Sequence, residues 1–517
     1  MKFDKKSNIF ITFTENIYMK KNNLMSGMLV LAVGSVLAKL FSAIYRIALT
    51  RVLGGEGIGL YQLIFPLYSL CVVLATAGLP MAISKVIAKH KNAERAVVKK
   101  CVFMISVVSI VLTLILILSS RGLAVMQGAQ EIYICYIILA PSIIFVAIAS
   151  VLRGYFQGVQ NFNPSAISNI VEQFVKLVLG LILSIYLVRW GLIASIVGAV
   201  VGILVSEIVS VLVLWLTYRR QNKSSEHIDI NVKEIVVDIL PITLTNIILP
   251  IATFVDSLLV VNLLEVSFNH SMAVFLYGLE SGAVSSLVGL PTIFSFAIAS
   301  VLLPNIAKNG SNGDAHLTLA IKVVLIISLP CVLAFIFMPD RLINLLYGDR
   351  LNGYGVEGVN VCYRLLAISG LGVVFLAVSQ VFSTALQAVD KRYVTIRNLV
   401  IGVVVKFVIE VIFLPSIAVN IFALAIANTA CYITMMVLNY IEIREQYSML
   451  LEHDFWGKLT LANVLLVVVL LGVLSIGSSA VNTLMAIGLA GVVYLFALYR
   501  CRIICKTDIA IMKYKVK

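Results

Sequence analysis

Long apolar stretches separated by short polar segments run the length of this chain, at 24–48, 59–86, 97–119, 132–151, 166–188, 192–217, 235–263, 272–307, 317–338, 361–388, 394–414, 417–440, 459–476 and 481–497. Each reaches at least about the 17 residues that a helix needs to cross a bilayer. The pattern predicts an all-α polytopic membrane protein with fourteen transmembrane helices.

The basic residues test that count independently. Of the 39 Lys and Arg, only Arg51, Arg121, Arg189, Arg341, Arg350 and Arg364 fall in one alternate set of loops, and Lys39, Arg46, Lys176 and Lys406 lie within spans. The rest fall in the other set, most of them in the segment up to Lys21, the stretch 85–100, Arg219 to Lys233, Lys391 to Arg397, and the tail from Arg500. A missed or invented helix would scramble this alternation. The positive-inside rule then makes the basic side cytoplasmic, which predicts a multi-pass protein of the cytoplasmic membrane with both termini in the cytoplasm.

With 61% hydrophobic and 12% charged residues, and a mean hydropathy of +1.05, the composition belongs to a membrane protein. The net charge of +14 is a topology signal and draws the chain to anionic membrane lipids rather than to nucleic acid. No loop is long enough for a soluble catalytic domain; the longest outer one, 339–360, reads as a structured cap. The eight cysteines are scattered and mostly intramembrane, where they act as small apolar side chains, and Cys501 and Cys505 sit at a reducing cytoplasmic helix end. His90, His227, His270, His316 and His453 each stand alone, without metal-ligand spacing. The glycines Gly55, Gly57 and Gly59 follow a membrane helix rather than a strand, so they do not form a nucleotide cradle. The absence of a P-loop argues against an ATP-driven pump.

The chain repeats itself. The segment Arg153-Gly-Tyr-Phe-Gln157-Gly-Val-Gln160 resembles Ser383-Thr-Ala-Leu-Gln387-Ala-Val-Asp390, and at the same spacing Lys176 corresponds to Lys406. Earlier, Gly59-Leu60 corresponds to Gly278-Leu279 and Ala88-Lys89 to Ala307-Lys308 at one shared spacing. Each copy spans six helices, so the two are expected to be parallel lobes related by an axis along the membrane normal, with substrate bound between them. The expected organisation is a cytoplasmic extension (1–23), a first lobe (24–220), a linker (221–234), a second lobe (235–442), an accessory helix pair (443–500) and a basic tail (501–517). Prolines Pro66, Pro80, Pro241, Pro250, Pro291 and Pro304 interrupt the second, seventh and eighth spans, where they favour kinks.

Ionisable residues inside spans are costly and usually functional. Lys39 and Arg46, seven apart, project from one face of the first helix and suit an anionic phosphate-bearing headgroup; alternatively Arg46 snorkels outward and Lys39 pairs with a carboxylate. Glu172 with Lys176, and Lys406 with Glu410, have the i,i+4 spacing of intrahelical ion pairs, yet the two lysines are repeat-equivalent and are candidates to line the interface. Asp256, Glu207 and Glu280 are lone carboxylates, each a candidate for a coupling Na⁺ or H⁺ or a counter-ion for Lys39 or Arg46. Asp256, with Thr253, Ser257 and Asn262 nearby, is the leading one. No other cofactor is implied.

The runs Arg51-Val-Leu-Gly-Gly-Glu-Gly-Ile-Gly-Leu-Tyr-Gln62, Ala75-Thr-Ala-Gly-Leu-Pro-Met-Ala-Ile-Ser-Lys85 and Arg153-Gly-Tyr-Phe-Gln-Gly158 resemble the stage V sporulation protein B family. That family belongs to the multidrug/oligosaccharidyl-lipid/polysaccharide (MOP) exporters, alongside MurJ-type lipid II flippases. The resemblance covers essentially the whole chain and implies the MOP exporter fold, a transporter rather than an enzyme. Its implied substrate is an undecaprenyl-pyrophosphate-linked sugar, such as a peptidoglycan precursor for spore cortex, with cell-wall synthesis enzymes as possible partners. It also implies that Lys39, Arg46 and Arg51 meet the lipid pyrophosphate, although Lys39 stands where relatives carry arginine and the eighth helix offers Glu280 in place of a family arginine. The rival expectations are a MATE-type cation-coupled exporter, which would favour a carboxylate-dominated cavity, and a membrane-embedded glycosyl- or acyltransferase, which would need clustered His or Asp.

Overall fold

The computed structural model describes residues 24–89, 94–221, 239–293 apart from 241 and 245, 313–389, 391–447 and 453–503. The N-terminal extension, most of the 221–234 linker, Lys91, Pro241, Pro304, the Ala307-Lys308 pair, Asp390 and most of the basic tail lie outside them. The described chain is helical: α1 (Leu24–Thr76), α2 (Leu79–Lys89), α3 (Glu94–Met126), α4 (Tyr133–Leu139), α5 (Ser142–Gly158), α6 (Asn163–Leu187), α7 (Leu192–Arg219), α8 (Ile248–Leu264) and α9 (His270–Gly278). It continues with α10 (Gly313–Phe337), α11 (Pro339–Leu346), α12 (Gly358–Ala388), α13 (Arg392–Phe413), α14 (Phe422–Ile443), α15 (His453–Leu474) and α16 (Ala480–Arg500). Among the described residues, twelve helical stretches are long and apolar enough to cross a membrane.

The first of these, Val33–Lys89, is not one rod. At Gly54 the backbone takes φ 70°, ψ −173°, a conformation open essentially to glycine alone. A continuous helix would hold Arg46 and Gln62 about 24 Å apart. Instead both donate to one carbonyl, Ser281 O, Arg46 from 3.1 Å. α1 therefore doubles back at Gly54 into a hairpin with no loop. α13 is as long as α14 and falls outside the twelve because Arg397, Lys406 and Glu410 interrupt its apolar character. Pro80, expected inside a kinked helix, instead begins a new one: Gly78 at φ 79° ends α1, and α2 starts at Leu79.

Two packing groups form around α1. Its hairpin lies against α5, α6 and α7, with α2 and α3 packed on α5; α10, α13 and α14 pack on α12, and α8 on α13. Between the groups, α1 meets α8, α9 and the turn that follows α9. There Gly59 and Gly278 touch back to back: a Cβ on Gly59 would sit 2.2 Å from Val274 O, and one on Gly278 1.9 Å from Gly55 O. α15 and α16 pack on each other and reach the rest through α10 and α11, with Tyr494 Oη donating to Ile326 O at 2.7 Å. Large apolar side chains such as Phe103, Leu118, Val468 and Leu495 remain exposed on the outward helix faces, where lipid takes the place of protein contacts. The segment after α10 is structured, as α11, a 3₁₀ turn at Gly348–Leu351 and a Gly353–Val356 bridge.

Candidate functional site

Lys39 and Arg46 do share a face of α1, and that face lines a cavity of about 170 Å³ with Ser42 and Ala43; Ser285, Ser286, Gly289, Leu290 and Ile293 line the opposite wall. The walls supply two cations and three hydroxyls in an otherwise apolar setting. Arg46 does not snorkel outward. Its guanidinium is anchored on Ser281 O, leaving further donors of the five-donor fork for a ligand.

The anchor exists because residues Leu279–Val284 form a π-helical turn. A π turn disrupts the regular i,i+4 ladder and often marks functional positions. Arg46, Gln62 and the Ser285 hydroxyl all donate to Ser281 O, and Tyr347 Oη donates to Ala283 O at 3.0 Å. Neither the π turn nor Gln62 was legible beforehand, since hydropathy does not register one extra residue per turn.

The other candidates separate. Arg51 is exposed and donates to Leu345 O and Leu346 O, the terminal carbonyls of α11, a favourable place for a cation at a helix C-terminus. The Glu172–Lys176 ion pair does not form: Glu172 accepts from Arg153 of α5 at 2.7 Å, within a knot that includes Ser210. Lys176 lies over the Tyr45 ring, 5.7 Å from its centroid.

Lys406 is not on the cavity wall. It is buried, ion-paired with Asp256 of α8 and 3.6 Å from Glu410 of its own helix. Asp256 is thereby accounted for as the counter-ion of Lys406, and not of Lys39 or Arg46. The predicted Lys406–Glu410 neighbours are present, with Asp256 in the closer contact. Glu280 lies in the π turn, 3% exposed, and accepts from Ser369 Oγ at 3.2 Å; Glu207 is partly buried on α7. His270 is not solitary, since its Nδ1 lies 2.6 Å from Glu265 Oε1.

Residues 24–310 match the family described as polysaccharide biosynthesis protein. Among curated relatives, stage V sporulation protein B of Bacillus subtilis (strain 168) is 24% identical over 444 residues, covering 81% of this chain and 83% of that protein. The lipid II flippase MurJ of the same organism is 22% identical over 532 residues, covering 93% and 95%. Among solved structures, the lipid II flippase MurJ in an inward closed conformation superposes with a TM-score of 0.70 at 14% identity, over 91% of this chain and 99% of that one. An inward-facing MATE family transporter of the MOP superfamily does so at 0.62 and 17% identity, over 79% and 94%. The match makes this multi-pass membrane chain a member of the polysaccharide biosynthesis protein family, and it shares the fold of MurJ and of the MOP superfamily transporter.

Proposed function

We propose that this protein is a secondary-active flippase that carries a polyprenyl-pyrophosphate-linked oligosaccharide across the cytoplasmic membrane by alternating access, the headgroup passing through the cavity while the polyprenyl tail stays in lipid. The observation that carries this reading is the cavity wall. Lys39, Ser42 and Arg46 line it together, so a diphosphate would find a point charge, a hydroxyl and a planar fork on one helix face. The names of the relatives, a lipid II flippase and a sporulation protein, favour a lipid II-like peptidoglycan precursor. The charge of the wall argues against a MATE-type exporter of cationic compounds, for which carboxylates would line the cavity.

Counting α1 as two crossings and adding α13 gives fourteen, so residues 24 and 503 share a face; the basic loops make it the cytoplasmic one. The two-lobe arrangement draws support from the glycine contact. Gly59 and Gly278 are repeat-equivalent, and at that same spacing so are Gly55 and Val274, so the contacts Gly59–Val274 and Gly278–Gly55 are reciprocal. Reciprocity of this kind belongs to a two-fold relation. α15 and α16 then form the accessory pair.

Purified protein in vesicles containing fluorescent lipid II tests the function, with headgroup accessibility scored by a membrane-impermeant quencher. Protein-dependent movement of the headgroup supports the reading. Movement that is equal in empty vesicles, or efflux of a cationic dye with none of the lipid, overturns it.

A further inference from the structure

We infer that the face opposite the termini holds the two halves together through a proton-sensitive tie centred on His270. This rests on the alternating-access reading above and names the contact that must release when the cavity opens to that side.

Besides the contacts of Arg51 with α11 and of Tyr354 with Glu56, three contacts cross between the repeat copies around His270. Gln127, fully buried after α3, donates to Leu63 O and to Ser257 Oγ of α8, both at 2.9 Å, and is itself held by Tyr136. Asn262 Nδ2 donates to Met126 O at 2.8 Å. Of these three the third alone can change charge: His270 Nδ1 lies 2.6 Å from Glu265 Oε1 on its own side, and its Nε2 lies 3.9 Å from Glu131 Oε1 on the other. Arg121, the nearby cation of α3, is held over the Tyr133 ring.

Imidazole is the side chain whose charge ordinarily changes between about pH 5 and 8. Protonated, His270 donates from both nitrogens and attracts both carboxylates. Neutral, it keeps the bond to Glu265 through Nδ1–H and loses its attraction for Glu131, so this charge-dependent contact between the copies lapses. The group is 39% exposed and Glu131 42%, so protons reach it from the solution on that face. Acid outside closes this side; alkali loosens it. The neutral contacts of Gln127 and Asn262 give the closed position its geometry.

The test places spin labels at Val125 and Val266, both exposed and outside the tie, in the full chain reconstituted in vesicles, and reads the short-distance population by pulsed dipolar spectroscopy. That population should rise roughly threefold as the bath on this face goes from about pH 8 to about pH 5.5, the scale of one exposed charge pair. In His270→Gln, which keeps a donor and loses the charge, the profile should be flat at its alkaline level, and Glu131→Gln should reduce the rise. A wild-type population that ignores pH, or a rise that survives His270→Gln, overturns the tie. Because the distances are read without substrate, lipid II flipping with no pH response sinks the tie alone, and a pH response without flipping sinks the substrate reading alone.

Discussion

Removing the Arg46 guanidinium separates transport from folding in a way the structure quantifies. A hydrogen bond to a charged partner contributes about 1.5–3 kcal/mol, and a pyrophosphate gripped by the fork would lose at least one such contact in Arg46→Ala. If the contact is strongest midway across, about 3 kcal/mol corresponds to a loss of roughly a hundredfold in flipping rate. Stability should fall far less. The carbonyl that Arg46 leaves, Ser281 O, still accepts from Gln62 and from Ser285 Oγ at 2.8 Å, so no buried acceptor is orphaned and the cost is about 1 kcal/mol or less. Arg46→Lys should recover only part of the rate, because an ammonium lacks the planar fork. Lys39→Ala together with Arg46→Ala should abolish transport. The assay is the vesicle flipping measurement, with detergent-solubilised thermal unfolding as the stability control. If the double variant flips at the wild-type rate while accumulating normally, the cationic face of α1 is structural and the cavity is not the headgroup path.

Lys406→Met should destabilise by about 3–5 kcal/mol, because it strands Asp256 and Glu410 as buried charges without their cation; adding Asp256→Asn should restore much of the loss, measured as accumulation and thermal unfolding. Gly54→Val should cost about 1–3 kcal/mol through its positive φ, and an unchanged unfolding temperature would contradict the hairpin. Gly59→Leu should prevent the approach of α1 to α9 and lower both accumulation and transport. A single cysteine at Tyr354 in a cysteine-free background should react with impermeant thiol reagents in intact cells, whereas one at Lys89 should not; the reverse result would invert the topology.

What the sequence reveals here is set by how far each interaction reaches along the chain. Spans and the charge alternation are local properties, so both could be read from hydropathy and loop charge. The shared face of Lys39 and Arg46 follows from helical geometry and is present in the cavity wall. Pairing across helices is different in kind. The i,i+4 spacing pointed Glu172 at Lys176, but Arg153, nineteen positions earlier in sequence, offers a forked donor at 2.7 Å. Asp256 invited a cation-site reading because Lys406, which neutralises it, lies 150 positions away. The π turn at Leu279–Val284 has no apolar signature of its own, and the proline pattern placed a kink at Pro80 where Gly78 in fact ends the helix.

The divergence of the repeated lysines bears directly on where a headgroup is held. Lys176 and Lys406 occupy equivalent places in the two copies, yet Lys406 is paired with Asp256 and Glu410, whereas no carboxylate among the described residues lies within ion-pair distance of Lys176, which rests over Tyr45 beside the helix of Arg46. The second copy thus neutralises its intramembrane cation internally, and the cations near the cavity, Lys39, Arg46 and Lys176, all belong to the first. On the proposed reading an anionic headgroup would be held chiefly by the first lobe, while the π turn after α9 supplies the carbonyl on which Arg46 rests. Lys176→Ala should therefore weaken lipid II flipping while leaving stability nearly unchanged, and Lys406→Ala should do the opposite, losing folded protein first. If both variants lowered flipping equally at normal accumulation, the two lysines would be acting alike, and the asymmetric grip would have to be given up in favour of a cavity lined by both copies.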